Sequence, residues 1–424
     1  DEPIGGSLLA KGLAPVLALQ LSLYYSELYD DRALRSRTQF FLRLAQSYLS
    51  AALILALVFY LFPGARIGPG TLLLCLPISA LTIFAWHSVH RWAVGQEGLI
   101  DNVLILGTGP TAQLITMEML RRTPLGYHVV GFLGEHESEL GRSIVNPSVI
   151  GTTADLLPLV ESLAVSLIVI ALEDRRGRLP VNDLLKCRLA GVKVEDAPDF
   201  FERLTGKILV DDLRPSWLVF SSGFSKPRLL RNSKRVVEFV GASLLALAFA
   251  PILALVALLI RLDSRGPALF RQPRVGLQGR VFELYKLRTM RIDAEAATGP
   301  AWASPDNDPR VTRVGRILRK LRLDELPQFF NVLKGDMSFV GPRPERPHFV
   351  EKLRQVIPYY DERHTVRPGI TGWAQVKFGY GSTIEDTECK LQFDLFYLKN
   401  MSLFLDLAIL LDTLKVMLLG RGAR

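Results

Sequence analysis

The sequence predicts three regions: a membrane α-helical N-terminal region (1–98), an α/β Rossmann-like middle domain (99–225), and an α+β monotopic C-terminal domain (226–424) with a re-entrant membrane helix at 236–260. Three observations predict this. Long apolar stretches fill the first hundred residues, strand-like and helix-like segments alternate over 101–225, and a fourth apolar stretch carries cations at both ends. With 424 residues, 49% hydrophobic, 22% charged and a net charge of +9, the chain is too charged for a purely membrane-embedded bundle. It is too apolar for a disordered or nucleic-acid-binding tail, so nucleic acid is not an expected partner. The charge is uneven: residues 226–424 hold 32 Lys+Arg against 20 Asp+Glu, a net of +12, which leaves −3 for residues 1–225. An anionic partner is therefore met in the C-terminal half.

Apolar stretches at 8–25, 44–61 and 72–89 each approach the length that crosses a hydrocarbon core of ~30 Å. Lys11 and Pro15 interrupt the first. The loop after it carries Arg32, Arg35, Arg37 and Arg43, whereas 63–70 carries only Arg66. By the positive-inside rule the first loop is cytoplasmic, the second external, and the chain returns inside near Arg91. Asp1 then lies outside, which fits an upstream span that began inside; no signal-peptide pattern is visible. Cys75, Cys187 and Cys389 lie far apart without a Cys-x-x-Cys, which argues against a disulfide framework or zinc site.

In the middle domain, 102–106 reads as a short apolar strand. Gly107-Thr108-Gly109-Pro110-Thr111-Ala112 and a helix to about Arg121 follow. Strands are expected at 128–133, 166–171 and 192–195, with a helix at 181–189. The G-x-G-x-x-A places Gly107 and Gly109 where a dinucleotide pyrophosphate meets a helix N-terminus, and Glu135 falls near the ribose-binding spacing. Tight packing alone explains the same glycines. No Tyr-x-x-x-Lys pair exists anywhere in the chain for dehydratase or epimerase chemistry.

The stretch 236–260 is long enough to span a membrane. Lys226, Arg228, Arg231, Lys234 and Arg235 precede it, and Arg261, Arg265, Arg271 and Arg274 follow. Both ends prefer the cytoplasmic face, and Pro251 at the middle removes a helical hydrogen bond. A helix that bends at Ala250-Pro251 and returns on the same side meets both constraints; a Pro-kinked span is the alternative. In the strand at 281–290, Phe282, Leu284, Lys286 and Arg288 share one face, and two cations in register suit a phosphate. Residues 310–321 form a basic amphipathic helix with Val314, Leu318 and Leu321 as its apolar stripe, fit to lie on an anionic membrane surface. Asp324 and Glu325 then stand beside Arg319 and Arg322. Asp324 is placed to cap a helix that tolerates Pro327 in its first turn and ends at Gly335. Such an acid pair also suits Mg²⁺ binding and a carboxylate nucleophile at phosphorus. Arg343 in Gly341-Pro342-Arg343-Pro344, and Arg367 in Arg367-Pro368-Gly369-Ile370-Thr371-Gly372-Trp373, offer further guanidinium groups, the latter beside glycines that let backbone amides approach a ligand. An apolar helix at 402–419 closes the chain.

These runs resemble the bacterial sugar transferase family, the monotopic phosphoglycosyl transferases that load a hexose-1-phosphate onto undecaprenyl phosphate. The resemblance rests on Lys234-Arg235, Gln272-Pro273-Arg274-Val275-Gly276, Tyr285-Lys286-Leu287-Arg288-Thr289-Met290, residues 323–336, Gly341-Pro342-Arg343-Pro344 and 367–373. The N-terminal spans and middle domain are similar to the long, exopolysaccharide-associated members. The resemblance implies a helix broken near Pro251, Asp324 as nucleophile on the β-phosphate of a UDP-sugar, and release of UMP. It implies that Glu325 assists through Mg²⁺ or by accepting the acceptor's proton, that Arg319 holds the polyprenyl phosphate, and that Lys286, Arg343 and Asp394 are functional. Expected partners are the UDP-sugar donor, undecaprenyl phosphate, membrane lipids and a possible second copy of the chain. The expected place is the bacterial inner membrane, multi-pass, with the catalytic domain on the cytoplasmic face. Lys377-Phe378-Gly379-Tyr380 departs from the Asn/Arg-rich stretch often found after Gly-Trp-Ala-Gln, which leaves sugar or nucleotide contacts there open. Two other readings stand beside this one: a membrane-anchored NAD-dependent nucleotide-sugar dehydratase or epimerase, and a non-catalytic scaffold for polysaccharide assembly.

Overall fold

A computed structural model describes residues 4–26, 28, 37–94, 101–121, 126–175, 178–210, 221–291, 294, 310–379, 381 and 383–418. Arg32 and Arg35 of the first loop, and Tyr380, lie outside the described residues. The chain divides into two compact units, Asp1–Phe200 and Phe201–Arg424.

The first unit opens with three helices, α1 (Ile4–Tyr25), α2 (Arg37–Leu61) and α3 (Pro69–Val94). Stretches within α2 and α3, Phe40–Leu61 and Pro69–Val89, are long and apolar enough to cross a membrane. Pro15 and Pro77 sit inside their helices. Leu23, Leu28, Phe40 and Leu44 pack where the helices meet, and Tyr48 Oη shares a hydrogen bond of 2.7 Å with Ser79 Oγ. Arg43, expected in the first loop, lies within α2 and donates to the Ser26 carbonyl just after α1.

A five-stranded parallel sheet follows, β1 (Asp101–Leu106), β2 (Tyr127–Gly134), β3 (Val149–Thr152), β4 (Leu167–Ile170) and β5 (Lys193–Asp196), in the order β3-β2-β1-β4-β5. Runs such as Val103–Leu106 and Leu167–Ile170 carry no polar alternation because both faces of a parallel sheet are covered. Helices α4 (Pro110–Arg121), α5 (Leu156–Ser162), α6 (Val181–Leu189) and α7 (Ala197–Thr205) provide cover and connections. The strand β3 and helix α5 are additions to the elements expected from the sequence; β3 is only four residues long and ends in Gly151 and Thr152, too brief to show a period.

The second unit is built on the 36-residue helix α8 (Arg228–Asp263). It runs through Pro251 as one helix, so the expected break is not a break in helical structure. A proline removes a single donor, and the turns on either side keep their own bonds. Glu238, Ala242, Val256 and Ile260 are buried along one stripe, with Phe249 against Phe329 and Leu253 in the same packing. Val236, Val240, Leu244, Leu247, Leu255, Leu258 and Leu262 are exposed on the other side. The antiparallel hairpin β6 (Leu269–Val275) and β7 (Val281–Leu287) follows, then α9 (Arg313–Lys320) and α10 (Gln328–Lys334). In α9, Leu318 is buried and Val314 packs with it on Val256, Ile260 and Leu287, while Leu321 beyond its end is exposed rather than part of that stripe. The parallel pair β8 (Ser338–Val340) and β9 (Gly369–Thr371), helices α11 (Pro347–Val356), α12 (Trp373–Lys377), α13 (Ile384–Asn400) and α14 (Leu403–Leu418) complete the unit. Its main core joins Val340, Val350, Leu353, Tyr360, Leu395, Tyr397 and Ile409. Ile208 and Val210 belong to that core, so part of the segment expected in the middle domain packs with the C-terminal one.

Candidate active site

The site is assembled where β7 passes the turn between α9 and α10. Arg322 adopts a left-handed conformation (φ 54°) and reverses the chain, a short 3₁₀ turn covers Leu323–Glu325, and α10 starts at Gln328. Asp324 was expected to cap this helix. It makes no cap bond; it lies within the 3₁₀ turn one turn earlier, so its carboxylate is not spent on the helix. Asn331, fully buried, accepts from the Tyr285 N–H (3.0 Å) and donates to the Glu283 carbonyl (2.6 Å), which fixes α10 against β7. Lys286 on β7 is thereby held over the acid pair, and its Nζ donates to Glu325 Oε1 at 3.0 Å. Arg343 Nη2 reaches the same oxygen at 3.1 Å.

The two adjacent carboxylates are pushed apart. Burial raises the Asp324 carboxyl and neighbouring Glu325 raises it further, against Lys286 and Arg319. Burial also acts upward on Glu325, but Lys286 and Arg343 outweigh it and hold that carboxyl well below the usual range. Two acids with opposed environments are the pattern of a divided chemical role. Arg319 is steered by a bond from Nε to Thr289 Oγ1 (3.0 Å).

A second layer holds Arg343. The buried Arg363 donates to the Arg343 carbonyl (2.9 Å) and to Tyr360 Oη (2.7 Å), and its guanidinium lies 2.8 Å from Asp394 Oδ2. That oxygen has no aligned hydrogen bond, so the contact is an ion pair by proximity. Burial pushes the Asp394 carboxyl up to about 6 against the pull of Arg363. Asp394 thus stands behind Arg363, two residues removed from the acid pair. The glycines of the neighbouring motifs serve chain-to-chain approach rather than ligand approach. A Cβ on Gly341 would lie 2.3 Å from the Arg367 carbonyl, and one on Gly369 would lie 2.1 Å from the Gly341 nitrogen. The Gly341 and Gly369 N–H groups donate to Thr371 and Pro342.

Two predicted phosphate ligands lie elsewhere. Arg288 donates to the carbonyls of Ser264 (2.7 Å) and Arg265 (2.6 Å), closing the C-terminal end of α8. Arg367 donates from Nε to the Gly335 carbonyl (2.9 Å) at the end of α10, where Arg235 also binds the carbonyls of Val332 and Leu333. Helix C-termini leave four carbonyls unpaired, and these cations answer that need. The structure therefore gathers Asp324, Glu325, Lys286, Arg319 and Arg343, and sets Arg288 and Arg367 apart. Sequence reasoning passed over Gln328, Asn331 and Arg363. The first two lie four and seven residues after Asp324, a helical spacing that marks them as neighbours on its face.

Among the described residues no group of three or more His, Cys, Asp or Glu could enclose a metal. Mg²⁺ is held by one or two carboxylates together with substrate phosphates, and Asp324 with Glu325 matches that donor set. The parallel-sheet crevice is a different matter. Gly107 has φ +117°, and a Cβ there would meet the Ala171 carbonyl at 2.5 Å, so close packing demands it. A Cβ on Gly109 would lie 2.3 Å from Glu173 Oε1. Thr108 Oγ1 donates to Glu139 (3.1 Å), the Glu135 N–H donates to the same carboxylate (2.9 Å), and the Glu135 side chain is paired with Arg178. Where a pyrophosphate would rest there are carboxylates of the protein itself, and these residues do not fit a dinucleotide.

The bacterial sugar transferase profile matches residues 229–420. The chain is 45% identical over 241 residues to a UDP-N-acetylgalactosamine-undecaprenyl-phosphate N-acetylgalactosaminephosphotransferase of Aeromonas hydrophila, covering 57% of this chain and 56% of that protein. It is 34% identical over 339 residues to an undecaprenyl-phosphate glucose phosphotransferase of Komagataeibacter xylinus, covering 77% of this chain and 60% of the relative. It is 46% identical over 213 residues to a UDP-glucose:undecaprenyl-phosphate glucose-1-phosphate transferase of Caulobacter vibrioides, covering 49% and 79%. The chain thus spans little more than half the length of the first two relatives.

Proposed function

Since the chain belongs to the bacterial sugar transferases, we propose that it moves a hexose-1-phosphate from a UDP-sugar to undecaprenyl phosphate and releases UMP. The observation that carries this reading is buried Asp324 beside half-buried Glu325, with opposed carboxyl shifts, ringed by Lys286, Arg319 and Arg343. Asp324, the more basic of the two, attacks the β-phosphorus. The bond from that phosphorus to the bridging oxygen breaks, its electron pair leaves on UMP, and a phosphosugar ester of Asp324 remains. An oxygen of undecaprenyl phosphate then attacks the same phosphorus and Asp324 leaves as a carboxylate, so atoms and charge balance over two displacements. Lys286 and Arg343 neutralise the charge that spreads over the phosphoryl oxygens. Arg319, on the basic helix, is placed to hold the acceptor phosphate. Asp324 and Glu325 would hold Mg²⁺, which when bound supplies further charge neutralisation on the diphosphate. Glu325, held ionised by two cations, is suited to that ligand role and poorly suited to accept a proton.

The reading places the reaction at the cytoplasmic face of a bacterial inner membrane, as the first membrane step of exopolysaccharide synthesis. Helix α8 supports a same-side, re-entrant placement. Its buried stripe runs from Glu238 to Ile260 along one protein unit, while the opposite side bears leucine and valine side chains suited to lipid. By length and composition α8 could also cross a membrane, so the cations at both of its ends are what favour the same-side placement. The functional test supplies UDP-hexose, undecaprenyl phosphate and Mg²⁺ and measures UMP; absence of release with every common UDP-hexose refutes the reading. Cysteines placed at Asn232 and Ser264 should label from one side only, and labelling from opposite sides refutes the re-entrant placement.

A further inference from the structure

Beside the acid pair lies a cleft lined by Arg274, Leu284, Lys286, Gln328, Arg343 and Gly369, with Pro344 at its rim. Two of its cations, Lys286 and Arg343, converge on Glu325. Arg274 donates from its two terminal nitrogens to the Pro344 carbonyl (2.9 Å) and to Gln272 (2.7 Å), while its Nε is buried without a partner among the described residues. Gln328 is the neutral polar side chain of this lining. It is 3% exposed, lines the cleft, and its amide has no hydrogen-bond partner among the described residues. It lies four residues after Asp324, on the same side of the chain as the nucleophile. Its amide atoms are open to the cleft rather than sealed within the protein, so a ligand that enters meets a polar group no protein side chain occupies. The helix carrying it is pinned at its middle by Asn331 on β7 and at its C-terminus by Arg235 and Arg367.

The chemistry of that partner follows from the chemistry of the wall. Phosphate oxygens only accept, and cations are already present to serve them. A carboxamide both donates and accepts, which matches a group that does the same, namely a hydroxyl. In the reaction proposed above, the reacting phosphorus carries the hexose, so the hydroxyls nearest Asp324 during attack are those of the sugar. We propose that Gln328 is a specificity-determining residue that reads a ring hydroxyl of the hexose being transferred. The assignment rests on the transferase reading and narrows it to one contact on the donor.

The test is a cycle between residue and substrate in the full-length protein. The donor that gives the highest wild-type kcat/KM is compared with its monodeoxy analogues, in wild type and in Gln328→Met, which keeps the volume and removes the amide. Wild type is expected to lose roughly tenfold on one deoxy analogue, and Gln328→Met to lose about the same on the intact donor with no further loss on that analogue. A loss in Gln328→Met that is equal for every analogue means a structural role and overturns the proposal. No change with any donor means that the cleft holds only water, and overturns it too. Gln328→Asn, which retains the amide, should recover part of the discrimination, and it carries the same comparison if the methionine variant does not fold. Absence of UMP release by wild type would overturn the transferase reading itself, a distinct result.

Discussion

Two places in this chain look ready for phosphate, and their side chains treat an anion differently. The loop after β1 has the glycines, the helix start and the strand end of a nucleotide crevice. The turn before α10 has no glycine loop at all, merely an acid pair. Around the first, Glu139 and Glu173 take the positions an anion would take. Around the second, Lys286, Arg319 and Arg343 face the carboxylates. The backbone shape of a site is therefore a weaker guide than the sign of the charge its side chains leave unanswered. A glycine admits whatever comes close, including a glutamate of the same protein.

The sharpest way to break the contrast is Asp324→Asn, which keeps shape and removes the nucleophile. UMP release should fall by roughly 10³-fold or more, measured beside Glu173→Gln, which should stay within about twofold of wild type. Retention of activity in Asp324→Asn would move the nucleophile elsewhere. Next in size is Lys286→Met. It removes one of the two cations that hold Glu325 below the usual carboxylate range. Turnover is expected to drop roughly 10²-fold, and the acidic limb of the pH–rate profile should shift upward as Glu325 becomes easier to protonate. An unchanged profile would remove Lys286 from the acid pair's control.

A third effect concerns Asp394, whose carboxyl is pushed up to about 6 by burial against Arg363. Between its ordinary value of 3.8 and about 6 the folded protein binds a proton that the unfolded chain has released. This group's contribution to stability therefore falls as pH rises through that window and is constant above it. Thermal melts from pH 4.5 to 7.5 should show that slope in wild type, and Asp394→Asn should flatten it. A slope shared by both would assign it to other groups. The smallest expected effect is at the parallel sheet: wild type should not bind NAD measurably in a calorimetric titration, and saturable binding would erase the difference between the two regions.

Much of this was legible in the sequence because period and charge were. The strands at β1, β2, β4 and β5, the three N-terminal helices and the basic helix α9 all follow from runs of apolar residues and their spacing. The acid pair was legible because carboxylates are scarce among so many cations. What could not be read was the direction of individual arginines. Arg288 shares a strand face with Lys286 by alternation, yet it follows the last residue of β7 and is drawn to the open carbonyls of α8. A glycine-rich turn marks Arg367 as a ligand in the sequence, but those glycines bring β8 and β9 together and the guanidinium finishes α10. A cation near a phosphate site and a cation near a helix end have the same sequence, and only the position of the unpaired carbonyls separates them.

The long helix α8 is clasped at both ends by the body it anchors. At its start, Lys234 binds Asp406 (2.6 Å), Tyr397 (2.8 Å) and the Val340 carbonyl (3.1 Å), and Arg235 closes α10; at its finish, Arg288 holds the last turn. Those partners include the strand that carries Lys286 and the helix that carries Gln328. Excising 228–263 to make a water-soluble protein would thus leave Arg288, Asp406 and the carbonyls of Val332 and Leu333 stranded beside the acid-pair turn. Solubility and catalysis are, in this architecture, competing demands on the same thirty-six residues.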